Sequence, residues 1–372
     1  MSASLFDRVR RLRDETGDTH ALGLLRAFLG LLLLRQAVVE VEELRTFGYF
    51  GDAFHLPFVP EPLVPSARVY ALLLGVEGTL AFAVMLGVRA RVALFGCTLI
   101  GFYLLLCDRL QFHNNHYALL CFGFLLSFSP CDRTFTIGRK TKRDGPLWAQ
   151  RLMQLQLSIV YLASGVSKLL DPDWRGGLVL GTRFVRDAHN AIDHGVPRAI
   201  VDFVVRPDVA AAISKLAIAT ELFLAIGLFV PRTRLFALWW GVMFHVAIEL
   251  TNKVQIFTWL TLSLYALHAL PGNRTRKVQY DPSRVGARSM AGVVWSLDWL
   301  ARFELVERPG RWTVVDRDGA AKQGLAAIAL IARCLPISFP IGLPMWLVFG
   351  ARAERAGALQ LANKAIVDMN SS

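Results

Sequence analysis

Apolar runs long enough to cross a membrane recur along this chain and constrain its fold more than any other feature. A transmembrane helix needs about 20 mostly apolar residues. The chain is 54% hydrophobic and only 19% charged, whereas soluble domains average about 25% charged residues. We therefore predict an all-α polytopic membrane protein with about eight transmembrane helices, several of them short, at roughly 21–39, 69–87, 91–107, 116–130, 150–168, 210–230, 235–250 and 254–270.

Basic residues cluster in five of the segments that flank these runs. With eight spans, all five clusters fall on one side, which the positive-inside rule makes cytoplasmic. The net charge of +12 then needs no nucleic-acid partner. We predict a multi-pass inner (plasma) membrane protein with cytoplasmic termini. The clusters are Arg8, Arg10, Arg11 and Arg13; Arg89 and Arg91; Arg133, Arg139, Lys140, Lys142, Arg143 and Arg151; Arg232 and Arg234; and Arg274, Arg276 and Lys277.

The second and sixth runs are weakly similar to each other. Each carries a glutamate, Glu77 or Glu221, followed by small and apolar residues and an R-x-R turn. Two four-helix halves of the same orientation would explain the repeat, as in some transporters. The pattern resembles the DoxX-like four-helix membrane family.

Ionisable groups inside a membrane are expensive and are functional candidates. In this chain, structural ion pairs explain such residues at least as well. We predict that Glu77 pairs with Arg26 or Arg35, and that Glu221 pairs with Lys215.

Three polar motifs stand at the ends of apolar runs, and the loop charges place all of them at the outer face. HNNHY lies where the third span turns into the fourth, GVSKLLDPDW where the fifth ends, and MFHVAIELTN where the seventh ends. They predict one shared site. Its candidate residues are Asn114, Asn115, His116, Lys168, Asp171, Asp173, Trp174, His245 and Asn252.

Lys168 admits two interpretations. Burial favours a neutral amine that can take a proton from a quinol or enol, while nearby aspartates favour the charged form. Histidine and asparagine side chains can stabilise the resulting oxyanion. Alternatively, Lys168 is a snorkelling anchor, Trp174 belongs to the interfacial aromatic belt, and Asp-Pro-Asp is a turn. His113 and His116 have the spacing of a metal pair, but no third ligand is evident, so we predict no metal.

At these residues the chain resembles the vitamin K-dependent gamma-carboxylases, and more closely their bacterial HTTM-domain relatives. The resemblance covers about residues 15–270 and rests on NNHYALLCFGFLLSFSP, VYLASGVSKLLDPDWRGG and FHVAIELTN. It implies that Lys168 is the base that deprotonates a reduced quinone (vitamin K or menaquinol-like), that His116 stabilises charge on the substrate, and that Phe244-His245 matches a further family dipeptide. One more residue separates Lys168 from Trp174 here than in the carboxylases.

The leading hypothesis is therefore proton or redox chemistry on a membrane quinol or a similar hydrophobic small molecule. Lys168 is the base, His116 and His245 are its catalytic partners, and the remaining candidates bind substrate. Protein gamma-carboxylation is not expected, because the large luminal region of the carboxylases has no counterpart here. The alternative is a non-enzymatic DoxX-like membrane subunit or small-molecule handling protein that uses Glu77 and Glu221.

The composition changes after Gly272, and the last part of the chain resembles the DCC thiol-disulfide oxidoreductases. VQYDPSRVGARSM, LDWLARFELVE and VVDRDGAAKQGLAAIALIARCLP carry the resemblance, which implies a small α/β thioredoxin-like domain. Arg284 and Ala287 occupy the family's CxxC positions, so thiol exchange is not expected. FELVE and WTVVD predict strands, and 325–349 predicts a buried helix plus a loop, with a membrane span as the alternative. The predicted division is 1–19, a cytoplasmic segment; 20–271, the transmembrane domain; 273–360, the degenerate domain; and 361–372, a tail.

Overall fold

The computed structural model describes residues 7, 10, 13–47, 49, 56–110, 112–137, 144–251, 256–268, 274–298 and 302–350, with only the backbone at 190, 251 and 350. The chain divides into two compact units, Met1–His268 and Ala269–Ser372. Helices build the first unit almost entirely, whereas the second combines helices with a small sheet.

Each of the eight predicted apolar runs forms a helix in the first unit. Short strands β1 (Thr16–Asp18) and β2 (Asp144–Pro146) pair antiparallel and join the N-terminal segment to the loop before the fifth long helix. The helices are α1 (His20–Phe47), α2 (Ala67–Leu86), α3 (Ala90–Leu106), α4 (Asn114–Ser127), α5 (Trp148–Leu170), α6 (Pro172–Arg175), α7 (Leu178–Arg186), α8 (Ala188–Asp193), α9 (Arg198–Val204), α10 (Pro207–Gly227), α11 (Arg234–Thr251) and α12 (Ile256–Leu264), which continues as a 3-10 turn, Tyr265–His268.

Among the residues that the structure describes, three helices are long and apolar enough to cross a membrane, judged by length and composition. They are His20–Thr46, Ala67–Leu86 and Pro207–Gly227; Ala90–Leu106 and Ile256–His268 are apolar but shorter. Large apolar side chains also point outward from these helices: Leu72 is 67%, Val92 74% and Ile226 66% exposed. Hydrocarbon tails are the natural cover for such surfaces. The chain is therefore of membrane type, while eight crossings and their direction stay predictions.

The long helices pack in two similar series. In the first, α1 contacts α2, α2 contacts α3, and α3 contacts α4; in the second, α5 contacts α10, α10 contacts α11, and α11 contacts α12. The short helices α6 to α9 lie in the chain between α5 and α10. The two series meet where α12 packs on α1 and where α4 packs on α5. Buried side chains from both series form one continuous apolar core.

Arg26 holds the first series together, and its predicted ion pair with Glu77 is wrong. Its side chain is 0% exposed, and its guanidinium donates to four backbone carbonyls at 2.6–3.2 Å. A guanidinium carries five donors in a fixed fork, which suits such bridging. Arg26 thereby fastens α1 to the end of α2 and to the loop after α4. The acceptors are Val84, Met85, Thr134 and Phe135.

The second unit is a small α/β module. Its sheet has the order β4-β3-β5-β6, and β3 pairs parallel with β4 but antiparallel with β5, which pairs antiparallel with β6. A helix, α13, lies in the chain between the two parallel strands, which need a long crossover connection. The elements are β3 (Arg276–Tyr280), α13 (Ala287–Leu297), β4 (Phe303–Glu307), β5 (Thr313–Val315), β6 (Ala321–Gln323), α14 (Gly324–Cys334), α15 (Phe339–Met345) and a π-helical turn, Trp346–Gly350.

The strands predicted at FELVE and WTVVD are confirmed as β4 and β5. The prediction for 325–349 is confirmed in its first part only: α14 is a helix with a buried face, but α15 replaces the expected loop. The helix stops at Cys334, just before Pro336, because proline cannot donate the next backbone hydrogen bond. Pro340 then falls in the first turn of α15, where a missing N–H costs nothing.

Candidate functional site

Lys168 stands in the last turn of α5 and forms an ion pair with Glu221 of α10. Its Nζ lies 2.9 Å from both carboxylate oxygens of Glu221 and also donates to the Ser164 hydroxyl, one helical turn earlier. The two charged side chains are only 18% and 10% exposed. Contacts to both carboxylate oxygens fix the geometry of the pair, and removal of either partner would leave the other charge with little water around it.

A glycine brings the two helices close enough for this pair. Gly165 lies on α5 one turn before Lys168, and a Cβ added there would come within 2.9 Å of the Leu222 side chain and 3.3 Å of its backbone nitrogen. Leu222 directly follows Glu221 in α10. The missing side chain therefore permits the close approach that places Lys168 against Glu221.

The Asp-Pro-Asp-Trp segment folds back over the lysine. Asp171 caps α6 by accepting from the backbone N–H groups of Asp173, at 2.9 Å, and Trp174, at 3.4 Å, and proline follows at the first helical position. Both features are favoured helix starts. The Trp174 ring centroid then lies 5.1 Å from Lys168 Nζ, within cation–π range. The carbonyl of Trp174 accepts from the buried Ser214 hydroxyl of α10 at 2.5 Å.

A second polar group lies deeper along the same face of α5, two turns before Lys168. The Tyr161 hydroxyl is 2.7 Å from His245 Nε2 and 2.6 Å from the Tyr265 hydroxyl. His245 is 1% exposed, and its Nδ1 has no hydrogen-bond partner among the described residues. The charge of Glu221 also acts on Tyr161. The ion pair and this hydrogen-bonded chain are thus neighbouring parts of one polar stripe within the helix bundle.

His116 occupies a third position, in the first turn of α4. Its side chain is 5% exposed, and Nε2 has no partner among the residues that the structure describes. His113 precedes α4 at the N-cap position and is exposed, as is Asn114, while Asn115 is partly buried. A buried imidazole with an unused ring nitrogen can donate to or accept from a ligand.

The predicted site residues therefore fall into three groups: the cluster around Lys168, His245 with Tyr161, and His116 with its neighbours on α4. Lys168, Asp171 and Trp174 are together, with Asp173 exposed beside them. Neither His245 nor His116 hydrogen-bonds Lys168, whose described hydrogen bonds go to Ser164 and Glu221. Asn252 lies outside the described residues.

The predicted pairing of Lys215 with Glu221 is wrong, and helix geometry explains why. The two residues stand six positions apart on α10, whereas side chains meet at spacings of three or four. Lys215 is exposed, and Glu221 turns to Lys168 instead.

Sequence reasoning also missed Tyr161 and Tyr265, which hydrogen-bond with each other and with His245. The sequence could have identified Tyr161, because it precedes Lys168 by two helical turns and so lies on the same face of the helix.

The second unit offers no dithiol among its described residues. Arg284 is exposed and lies 3.7 Å from Asp281, and Ala287 is buried at the start of α13. Cys334 is 4% exposed and free, and burial raises the pKa of its thiol. A thiol that resists ionisation is a poor nucleophile, so Cys334 is a packing residue.

Comparison with known proteins gives one family. The family model of the HTTM domain matches residues 15–271, which covers the whole helical unit from β1 onward. No solved structure matches the chain.

Proposed function

The chain belongs to the HTTM domain family, and on that premise we propose that it deprotonates a reduced quinone or a related membrane lipid. The ion pair of Lys168 and Glu221 is the base. The observation that carries this proposal is the position of the pair: it is mostly buried, lies at a helix end, and has the Trp174 ring 5.1 Å from Nζ. An aromatic ring beside a buried acid–base pair suits a flat, apolar substrate with an acidic hydroxyl.

In the resting pair Lys168 is an ammonium and Glu221 a carboxylate, 2.9 Å apart. A proton that passes from Nζ to Glu221 frees the amine, which then takes the hydroxyl proton of the substrate. The pair gains one proton and the substrate becomes its anion. The low-dielectric surroundings assist this transfer, because burial disfavours the charged forms of both groups and so favours the neutral amine and the neutral acid.

The two histidines have supporting roles in this proposal. His116 has a free Nε2 and is buried, so it is the candidate that hydrogen-bonds the developing substrate oxyanion. His245 is held by Tyr161, which makes it a positioning residue for the Tyr161 hydroxyl. Asn114, Asn115 and Asn252 are proposed to line the substrate entrance, together with Asp171 and Asp173.

The test is turnover of reduced menaquinone by the full chain in liposomes, with dioxygen as oxidant. The quinolate anion reduces dioxygen either to hydrogen peroxide, leaving the quinone, or to water, leaving the quinone epoxide. We expect oxygen consumption above that of protein-free liposomes, with one of these products, and Lys215→Met as an unaffected control. A wild-type rate equal to that of protein-free liposomes rejects the proposal for this substrate class.

A non-enzymatic role is the second candidate, and one observation favours it. Lys168 already uses its donors on Ser164 and Glu221, as a purely structural ion pair would. In that case the protein is a DoxX-like membrane subunit or a small-molecule handling protein. Quinone binding without turnover would support this second role.

We further propose eight crossings of the bacterial plasma membrane, with both termini in the cytoplasm. The eight helices α1–α5 and α10–α12 and the basic loops support this arrangement. The strand–helix–strand unit of β3, α13 and β4, followed by an antiparallel hairpin and a helix, likewise supports a thioredoxin-like second unit.

The crossings can be tested with single cysteines in a variant that lacks the native thiols. We expect Asp193→Cys, at the end of α8, to react with an impermeant maleimide in intact cells. Asp144→Cys, before α5, should react only after the cells are opened, because the positive-inside rule places it in the cytoplasm. Both wild-type side chains are exposed, so burial does not explain a difference. The reverse labelling would overturn the proposed direction.

A further inference from the structure

The first helix series contains two carboxyl groups, Glu77 and Glu40, that belong to neither the Lys168–Glu221 ion pair nor the proposed quinol site. Glu77 of α2 is 2% exposed, and its Oε2 has no hydrogen-bond partner among the described residues. Its other oxygen faces Gly101 of α3, where an added Cβ would come within 2.6 Å of Oε1. The chain therefore keeps room for this carboxyl in the interior and leaves one of its oxygens unused, which is costly unless something binds there.

Glu40 of α1 is a second carboxyl group in the same helix series. The two are near enough for their charges to interact. The Tyr70 hydroxyl donates to Glu40 Oε1 at 3.0 Å, and Tyr70 and Glu77 share one buried face of α2, with Leu74 between them. Two helical turns separate Tyr70 from Glu77, about 10 Å along the axis. Polar groups thus lead from the Glu40 end of the helix pair toward the middle of α2.

No basic side chain compensates this pair within the described residues. Glu43 of α1, Tyr70 of α2, Cys97 of α3 and Cys107 after α3 are titratable groups that interact with Glu40 or Glu77. All of them are acids. Glu221 occupies the corresponding place in the second helix series but has Lys168 as its partner. Glu40 follows the first residue of α1 by as many positions as Lys168 follows the first residue of α5. The first series therefore has a carboxyl group at the position where the second series has the lysine.

We propose that Glu77 and Glu40 form a proton-binding site, which is loaded from the Glu40 end of the helix pair and holds at least one proton at neutral pH. Two like charges that interact in a low-dielectric environment disfavour each other, and without a cation a proton on one of the carboxyls relieves the repulsion. A bound metal ion fits less well, because hard cations require about six oxygen ligands. The contacts of Glu77 in the described structure are with Gly101, which has no side chain, and with Cys97, whose thiol donates to the Glu77 backbone carbonyl; neither adds a side-chain oxygen.

The probe is dicyclohexylcarbodiimide, an apolar reagent that adds to protonated carboxyl groups inside membranes. The acid proton moves to a reagent nitrogen and the carboxyl oxygen bonds to the reagent carbon, so nothing leaves. With the full chain in liposomes, we expect peptide mapping by mass spectrometry to find the adduct on Glu77 at neutral pH. Labelling should fall about tenfold per pH unit once the site titrates. Glu221 is the matched control and should be labelled far less than Glu77, since Lys168 Nζ lies 2.9 Å from both of its oxygens and occupies them.

Two variants test whether the carboxyls act as a pair. Glu77→Gln should remove the adduct. Glu40→Gln should move the pH of half-maximal Glu77 labelling downward, because it removes the neighbouring negative charge. Absence of a Glu77 adduct in wild-type protein overturns the proposal, as does unchanged labelling in Glu40→Gln. Protection of Glu77 by sodium at constant pH would also overturn it, in favour of a metal cation. None of these outcomes depends on quinone chemistry.

Discussion

Replacing Glu221 with alanine is expected to lower the free energy of unfolding by about 3–5 kcal/mol, the usual cost of leaving one partner of a buried ion pair alone. Lys168 would keep its ammonium in a place where it is only 18% exposed, with the Ser164 hydroxyl as its sole remaining hydrogen-bond partner in the described structure. The measurement is reversible unfolding of the purified chain in mixed micelles, followed by circular dichroism.

The control is a variant that removes both charges. Lys168→Met combined with Glu221→Leu should regain most of the lost stability, because apolar residues can replace a buried pair at little cost. Lys215→Met changes an exposed lysine of the same helix and should alter stability by no more than about 0.5 kcal/mol. If Glu221→Ala is as mild as Lys215→Met, the Lys168–Glu221 pair is not the buried contact described above.

The largest effect on activity is expected from Lys168→Arg. Arginine keeps the positive charge and can keep the ion pair with Glu221, but it does not give up a proton in proteins. Stability should therefore stay near that of the wild type, while kcat for quinol oxidation falls by on the order of 10²–10⁴-fold, the contribution of a general base. KM should change little, because the Trp174 ring, which is proposed to contact the substrate, is unchanged.

This substitution separates the two interpretations of the lysine. A variant that folds, binds the quinol and has lost turnover identifies Lys168 as the base. Wild-type kcat in Lys168→Arg would show that a fixed positive charge is sufficient, and the proposed proton transfer between Lys168 and Glu221 would then be wrong. Lys168→Met removes the positive charge and leaves Glu221 without its partner, so both stability and turnover should fall.

The positions of the helices could be predicted from the sequence because hydrophobic periodicity and run length depend on local residues. Each of the eight runs is a helix, with ends within a few residues of the prediction except that α1 continues to Phe47 and α12 gives way to a 3-10 turn after Leu264. It is harder to predict from the sequence whether each helix crosses the bilayer. Helix α5, for example, carries Arg151, Lys168 and buried glutamines, and the glutamines and Arg151 bind polar groups of the protein. Its low hydropathy reflects packing against protein as well as lipid.

The partners of the charged residues could not be predicted in the same way, because they depend on which helices meet. Arg26 could have paired with a carboxylate, but it binds carbonyls at the end of α2 and after α4, and nothing in the sequence marks those carbonyls as free. The pairing of Glu221 with Lys168 required knowledge that α5 packs on α10. One part was accessible: the spacing of Lys215 and Glu221 already excluded a contact on one helix face.

The most direct test of the central proposal, that a reduced quinone meets Lys168, is photo-crosslinking with a photoreactive quinone analogue in native membranes. Peptide mapping should place the crosslinks in the segment from Lys168 to Trp174 or at His116, and unlabelled reduced quinone should suppress them. Crosslinks confined to lipid-facing residues such as Leu72 and Val92, and unaffected by the competitor, would contradict the proposal.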